Sequence, residues 1–397
     1  MHEGENPLWP CAMAGAVACL SGFSGLGVII HGSSGCYFYP ATVLRTDLSS
    51  TFLVEEDVVF GAEERVRETV ERLLPRFDRL AVVTTCATAL TGDDIHRITG
   101  RDDILVVDSP GFMGEFEQGF SAALEALPLR SDPEHSGVTL AGISAADPFG
   151  RGNELEIRRL CSLAGIRVGA VLCRDRFSSL SRLPPATLSA NPDIAGRFGE
   201  EIGSMLGFPA IRGSLPGLSL RFPDADTGVL EEELREAEER VVRACDKYLR
   251  RYDPPSVAIF AQAGYAGFAA DMLSTYLDAG ITGIFSRNPP GNGALTQTGK
   301  PPGTPPGSPP GSTTGDRGIR QVLDLGVEEE ILRADPPDLI AGSSFEQSLM
   351  PGTPFVGITP PLRGRVRLRA TPLAGTEGAL SFMEDAINAC IDEKKRV

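Results

Sequence analysis

No apolar run in the chain approaches the roughly 18 residues that a membrane helix needs, because glycine or charge interrupts each one early. A membrane span is therefore not expected. The first ten residues, MHEGENPLWP, lack the basic start and apolar core of a secretory signal, so the expected compartment is the cytoplasm. Basic charge is also scarce. Against 53 acidic residues stand 37 basic ones, and the formal charge of −16 repels nucleic acid and anionic membranes. The eight cysteines show no zinc-finger spacing, and in a reducing compartment disulfides are not their expected use. No phosphate loop is present either. The nearest approach, ALTQTGKP, has Ala294 where the first glycine belongs and Pro301 in place of the magnesium-binding hydroxyl. If ATP is used with this chain, a partner uses it.

What the chain does contain is a rhythm of short apolar runs alternating with helix-like stretches, which argues for α/β units with parallel sheets. Its 397 residues suit two or three domains at roughly 150 residues each. Three Rossmann-like sets separate. In residues 1–136, GVIIHG, RLAVVTT and DDILVVD read as strands, and GAEERVRETVERLLPRF places Val66, Val70, Leu73 and Leu74 on one helical face. Residues 137–252 offer GVTLAGIS, IRVGAVLC and ATLSA as strands, NELEIRRLCSLAG and NPDIAGRFGEEIGSMLG as helices, and a long charged helix over about 228–251. Residues 253–397 offer PPSVAIFAQ, GITGIFSR, PDLIAGSS and TPFVGIT, with a closing helix from about Thr376 to Lys394. Residues 288–318, mostly proline, glycine, serine and threonine, bury too little apolar surface to order themselves and read as a flexible surface insertion.

Three cysteines share a local context. Cys11 stands after NPLWP and heads the small-residue stretch AMAGAVACL, a helix N-terminus, which favours a thiolate. Cys36 follows the strand-to-helix turn HGSSG, and Cys86 ends the strand of TTCATALTGDD. Open α/β sheets place their ligands along such carboxyl-end edges. Single cysteines are more often small core residues, but three together suggest a metal site. Iron–sulfur clusters accept thiolates from distant loops. Cys19, Cys161, Cys173, Cys245 and Cys390 read as packing residues. His31 reads as a satisfied strand-end residue or as a group acting near Cys36. Tyr37, Phe38 and Tyr39 suit a flat ligand or interdomain packing equally. Asp93, Asp94 and His96 lie at the right edge, where a charged helix start accounts for them.

The order N-P-x-x-x-C with its small-residue helix, then IHGSSGC, then TTCATALTGDD, resembles the first domain of the nitrogenase component 1 superfamily. SVAIFAQAGYAGFAADMLSTYLDAGI and DLIAGSSFE extend the likeness to the third domain. The resemblance implies that Cys11, Cys36 and Cys86 ligate a [4Fe-4S] cluster between two subunits. The chain departs from nitrogenase subunits in its shorter length and in having no late cysteine and histidine pair for an iron-molybdenum cofactor. Its compactness and HGSSGCYFYP look most similar to catalytic subunits of the nickel-sirohydrochlorin a,c-diamide reductive cyclases of methanogenic archaea. That likeness implies a homodimer, a nickel tetrapyrrole substrate, and an iron-protein-like ATPase reductase as electron donor. A cofactor-assembly scaffold and a reductase of another substrate are the alternative readings. Three thiols per chain leave the cluster's fourth ligand open; Glu3 and Glu5 are candidates for an oxygen donor.

Overall fold

The computed structural model describes residues 7–44, 46–289, 318–364 and 366–394. Glu3, Glu5, the ALTQTGKP stretch and nearly all of 288–318 lie outside them. Three parallel sheets carry the fold. The first is ordered β2-β1-β3-β4, from β1 (Leu26–His31), β2 (Leu48–Ser50), β3 (Arg79–Thr84) and β4 (Leu105–Val107). The second is β6-β5-β7-β8, from β5 (Val138–Ala141), β6 (Val168–Val171), β7 (Ala186–Ser189) and β8 (Glu200–Ser204). The third is β11-β10-β9-β12-β13, from β9 (Ser256–Ala261), β10 (Gly280–Ser286), β11 (Arg320–Gln321), β12 (Leu339–Gly342) and β13 (Phe355–Gly357). All six residues of β1 are buried, as a parallel strand covered by helices on both faces requires. The α/β class with three Rossmann-like units is thus present.

Helical periodicity is honoured where the apolar stripe is clean. Val66, Val70 and Leu73 are buried on the helix Glu63–Leu73 and pack against Ile29, Leu80 and Val82. Leu74 opens the 3-10 turn Leu74–Arg76 that follows the helix, with Pro75 inside it, and packs half-buried against the same cluster. The long charged helix spans Thr227–Leu249. It buries Leu230, Leu234, Ala237, Val241, Cys245 and Tyr248 and packs on the closing helix Gly375–Lys394.

The helix expected over 191–207 is not one. The chain there makes a 3-10 turn, Pro192–Ile194, and then the edge strand β8. Gly196, Gly199 and Gly203 take φ of +67°, +63° and +152°, values that no right-handed helix contains. A helix that the sequence reading missed, Phe208–Arg221, follows instead. Asn288, assigned above to the flexible insertion, is buried: its side chain accepts from Ala263 N–H (2.8 Å) and donates to Asp193 (3.1 Å). The ordered chain therefore runs past the end of β10.

Candidate functional site

The small-residue helix Ala12–Leu20 is buried along its whole length. A Cβ at Gly15 would stand 1.8 Å from the Phe116 carbonyl oxygen, and one at Gly119 would stand 1.7 Å from that of Ala12. Glycine at both positions lets the helices Ala12–Leu20 and Phe116–Ala126 touch backbone to backbone. That contact fixes Cys11, the N-cap residue, and Ala12 N–H donates to the Gly114 carbonyl at 2.8 Å.

Cys36 lies in the first turn of the helix Ser34–Leu44 after β1, and Cys86 opens the helix Cys86–Thr91 after β3. The two loops are stitched together. Thr85 and Thr88 hydroxyls both donate to the His31 carbonyl, at 2.9 and 3.0 Å, while Gly32 packs so tightly that a Cβ there would lie 2.4 Å from the Thr85 side chain.

A third loop, Ser109-Pro110-Gly111 after β4, closes the arrangement. A Cβ on Gly111 would stand 3.1 Å from the Cys11 sulfur and 3.2 Å from the Cys86 sulfur, so those sulfurs cannot be further apart than the two distances laid end to end. Burial pushes the Cys36 thiol up, the Ser33 hydroxyl opposes this, and the charges of Cys11 and Cys86 push it higher. Such coupling needs proximity, and it places Cys36 within electrostatic reach of both other thiols. Among the described residues no set of three His, Cys, Asp or Glu closes tightly enough to hold a single metal ion. Thiolates grouped but not closed on one point, in an all-sulfur set around a glycine-sized gap, fit a multi-iron cluster better than one ion.

The remaining sequence candidates resolve without a metal. His31 is fully buried, its Nδ1 3.1 Å from Thr51 Oγ1 and its Nε2 3.0 Å from Asp93 Oδ2. The Asp93 carboxylate accepts from Nε2, so in the neutral ring Nδ1 takes the Thr51 hydroxyl proton, while Thr51 Oγ1 accepts the Gly32 N–H. Burial lowers the His31 pKa, with Asp93 opposing. It is a satisfied core residue. Asp94 caps the helix Ile95–Thr99 and the His96 ring bonds the Arg101 carbonyl. Tyr37 packs edge-on against Phe52, while Phe38 is exposed. Cys19 and Cys173 are buried with sulfurs 3.5 Å apart, and Cys161, Cys245 and Cys390 are core residues. Cys173 sits in a turn past β6 with φ +59°, not within the strand expected for it.

Beside the thiols opens a cavity of about 730 Å³, with Cys11 and Cys36 in its wall. All three sheet units contribute: Asp147 comes from the loop after β5, Gln262 from the loop after β9, and Phe345 and Arg363 from beyond β12 and β13. Arg363 makes no ion pair among the described residues; its guanidinium lies over the Phe345 ring at 5.8 Å. The Tyr39 hydroxyl in the same wall is raised by burial and by Cys11, with Arg363 opposing. Asp147 is pushed up to about 6 by burial, against hydrogen bonds from Tyr265 and the Phe149 amide. Sequence reading missed Gly111, Asp147 and Arg363. The first two were signalled by Ser-Pro-Gly in the loop after β4 and Asp-Pro in the loop after β5, at the same carboxyl-end edges that drew attention to the cysteines.

Residues 11–391 match the nitrogenase component 1 type oxidoreductases. Over 147 residues the chain is 31% identical to the nitrogenase iron-iron protein beta chain of Rhodobacter capsulatus, covering 31% of this chain and 32% of that one. Over 137 residues it is 31% identical to component CfbD of the Ni-sirohydrochlorin a,c-diamide reductive cyclase complex of Methanothermobacter thermautotrophicus, covering 32% and 37%. The iron-molybdenum cofactor biosynthesis protein NifN of Nostoc is 27% identical over 184 residues, covering 41% and 40%. Less than half of the length of each of these relatives is matched. A solved structure of nitrogenase Cp1 superposes with a TM-score of 0.80 over 100% of this chain and 95% of that one, at 17% identity, a likeness of fold. With the match running from the first of the three site cysteines almost to the end of the closing helix, the chain belongs to the nitrogenase component 1 type oxidoreductase family.

Proposed function

We propose that the chain is the catalytic component of a nitrogenase-like reductive cyclase. It takes electrons from an ATP-dependent iron–sulfur reductase and reduces and cyclises Ni-sirohydrochlorin a,c-diamide to the seco precursor of coenzyme F-430. The observation that carries this reading is the shared wall: Cys11 and Cys36 line the same 730 Å³ cavity to which all three sheet units contribute. Cys11, Cys36 and Cys86 hold a [4Fe-4S] cluster, which when bound accepts and passes single electrons. The cavity lies in the size range of small-molecule sites, and its mostly apolar wall with a lone arginine suits a flat macrocycle bearing carboxylates. The nickel arrives as part of the substrate, and ring closure by an amide side chain asks the cavity for orientation.

The cluster's other side is met by a second copy of the chain. Phe38, Phe60 and Leu90 are 71%, 86% and 80% exposed. They sit on the helices Ser34–Leu44, Glu55–Phe60 and Cys86–Thr91, the first and last of which carry Cys36 and Cys86. Apolar side chains left in water around a half-enclosed thiol set are the mark of an interface.

Turnover is the test. Cluster-loaded protein, a matched reductase, ATP and Ni-sirohydrochlorin a,c-diamide should together give ATP-dependent ring closure, read by absorbance and mass. The macrocycle bound but unchanged would favour an assembly scaffold, a role printed in the name of the Nostoc relative. No binding at all would mean another substrate. Gly111→Ala gives a finer check. The backbone there tolerates a side chain, yet the new Cβ enters the gap between Cys11 and Cys86. The expected result is a wild-type melt with severalfold less iron after reconstitution; full iron loading would contradict the placement of the cluster.

A further inference from the structure

Asp147 is a carboxyl group in the cavity wall, nearly all of it buried, at the junction of all three sheet units. Its surroundings hold it in one orientation. Oδ1 accepts the Phe149 amide at 2.9 Å, and Oδ2 accepts the Tyr265 hydroxyl at 2.5 Å. The direction of that second bond is forced from further back. Asn153 Oδ1 accepts the Leu373 and Ala374 amides at 2.8 and 2.9 Å, so its Nδ2 must donate, and it donates to the Tyr265 oxygen at 3.0 Å. Tyr265 can then only give its proton to Asp147. The chain of bonds runs from the last turn before the closing helix to the cavity surface, through side chains with essentially no exposure.

The titratable and charged groups facing Asp147 are Tyr265, on the helix Ala263–Tyr276, and Arg367, on the segment before Leu373. Asp193 reaches Tyr265 but not Asp147. Burial outweighs the two donors and the arginine, leaving a carboxyl that changes protonation near neutrality. An exposed aspartate with donors on both oxygens would take up a proton only in strong acid; burial brings this one up to about 6, within reach of protonation under mildly acidic conditions. An apolar ligand filling the cavity would displace the remaining water and favour the protonated form further. The thiols supply no such group, and Arg363 does not release a proton.

We propose that Asp147 is a proton donor to the reducible ligand held in this cavity, with Tyr265 and Asn153 as its positioning residues. The role rests on the reading that the cavity holds the tetrapyrrole. Reducing one double bond of that ligand consumes two electrons and two protons. The reductase partner supplies the electrons. Asp147 supplies one proton: its O–H bond breaks as a C–H or N–H bond forms on the ligand, and the resulting carboxylate is reprotonated by water at the cavity mouth. The second proton comes from solvent.

The first arm of the test needs no ligand: infrared difference spectra of the full-length, cluster-loaded protein against pH. The wild type should show a protonated-carboxyl band that is lost as pH rises through about 6. The band should be absent from Asp147→Asn and should persist to higher pH in Tyr265→Phe, which removes a donor that favours the ionised form. A wild type lacking this band, or an Asp147→Asn protein retaining it, overturns the proposal. In the second arm, Asp147→Asn should bind the macrocycle like the wild type and form product about a hundredfold more slowly. Wild-type rates in that variant would also overturn it. Failure of the wild type itself to act on the macrocycle sinks the cyclase reading, and the infrared arm alone then decides this one.

Discussion

Cys36→Ala protein should leave anaerobic reconstitution with background iron and no reduced-cluster EPR signal, as should Cys11→Ala and Cys86→Ala, while Cys161→Ala keeps both. The difference lies in where the sulfurs point. Cys161 is 1% exposed among Ile157, Leu160 and Ile166, and burial pushes its thiol up to about 12, so it offers no thiolate to iron at neutral pH. Of the other three, Cys11 and Cys86 meet at Gly111, and Cys36 lies within electrostatic reach of both. Removing any one leaves two thiols, too few to hold a cluster against chelation and hydrolysis. Stability should change little, because Cys11 and Cys36 are only partly buried and Cys86 is exposed. The iron count then decides how two chains share the metal. About four irons per chain is expected, a cluster per chain held by all three thiols with a fourth ligand from elsewhere; about two would mean one cluster on the dimer axis using four of the six thiols, and one of the three variants would then keep the signal. Variants that keep the signal would show the HGSSGC turn to be architecture alone.

The cysteines were legible because each loop carries its own local sign: a proline-led helix start, a glycine turn, a strand running into threonines. The convergence was not. It depends on Gly15 and Gly119 letting two helices touch, and on Gly111 leaving room between sulfurs, and a glycine's neighbours cannot be read from its sequence context. Ten of the thirteen described strands were readable as apolar runs because parallel strands are buried on both faces; β2, β8 and β11, edge strands that are short or polar, were not. The error over 191–207 has a stated cause: apolar residues at helical spacing were interleaved with glycines that take left-handed φ, and the spacing was weighed above the glycines. Asp147 escaped notice because an aspartate before proline after a strand reads as turn chemistry. Only its burial and its bond to Tyr265, 118 residues away, separate it from an ordinary turn residue.

The largest stability effect is expected at the end of β10. Arg287 is 1% exposed and donates to Glu328 and Glu346, both fully buried. Glu346 also accepts the Ser343 amide and hydroxyl, at 2.6 and 2.8 Å, as the cap of the helix Ser344–Leu349. Arg287→Met would leave the carboxyl pair without its cation in a dry interior. The expected cost is about 3–5 kcal/mol, seen as an early melting transition and fast proteolysis of the third sheet unit; a melt within about 1 kcal/mol of wild type would contradict it. Glu328→Gln should act in the opposite sense. Burial, reinforced by Glu346 and opposed by Arg287, pushes Glu328 up to about 9, whereas an unfolded glutamate ionises near ~4.3. Folding between those values takes up a proton, so the stability contributed by this site is complete below the unfolded value and is lost as pH rises towards about 9. A glutamine does not titrate, and its amide can still donate towards Glu346. The variant should therefore match the wild type under mildly acidic conditions and melt higher than it under alkaline ones, with a flatter dependence of melting temperature on pH. Parallel curves for the two proteins would mean that Glu328 is ionised in the native state and that Arg287 balances two charges instead of one.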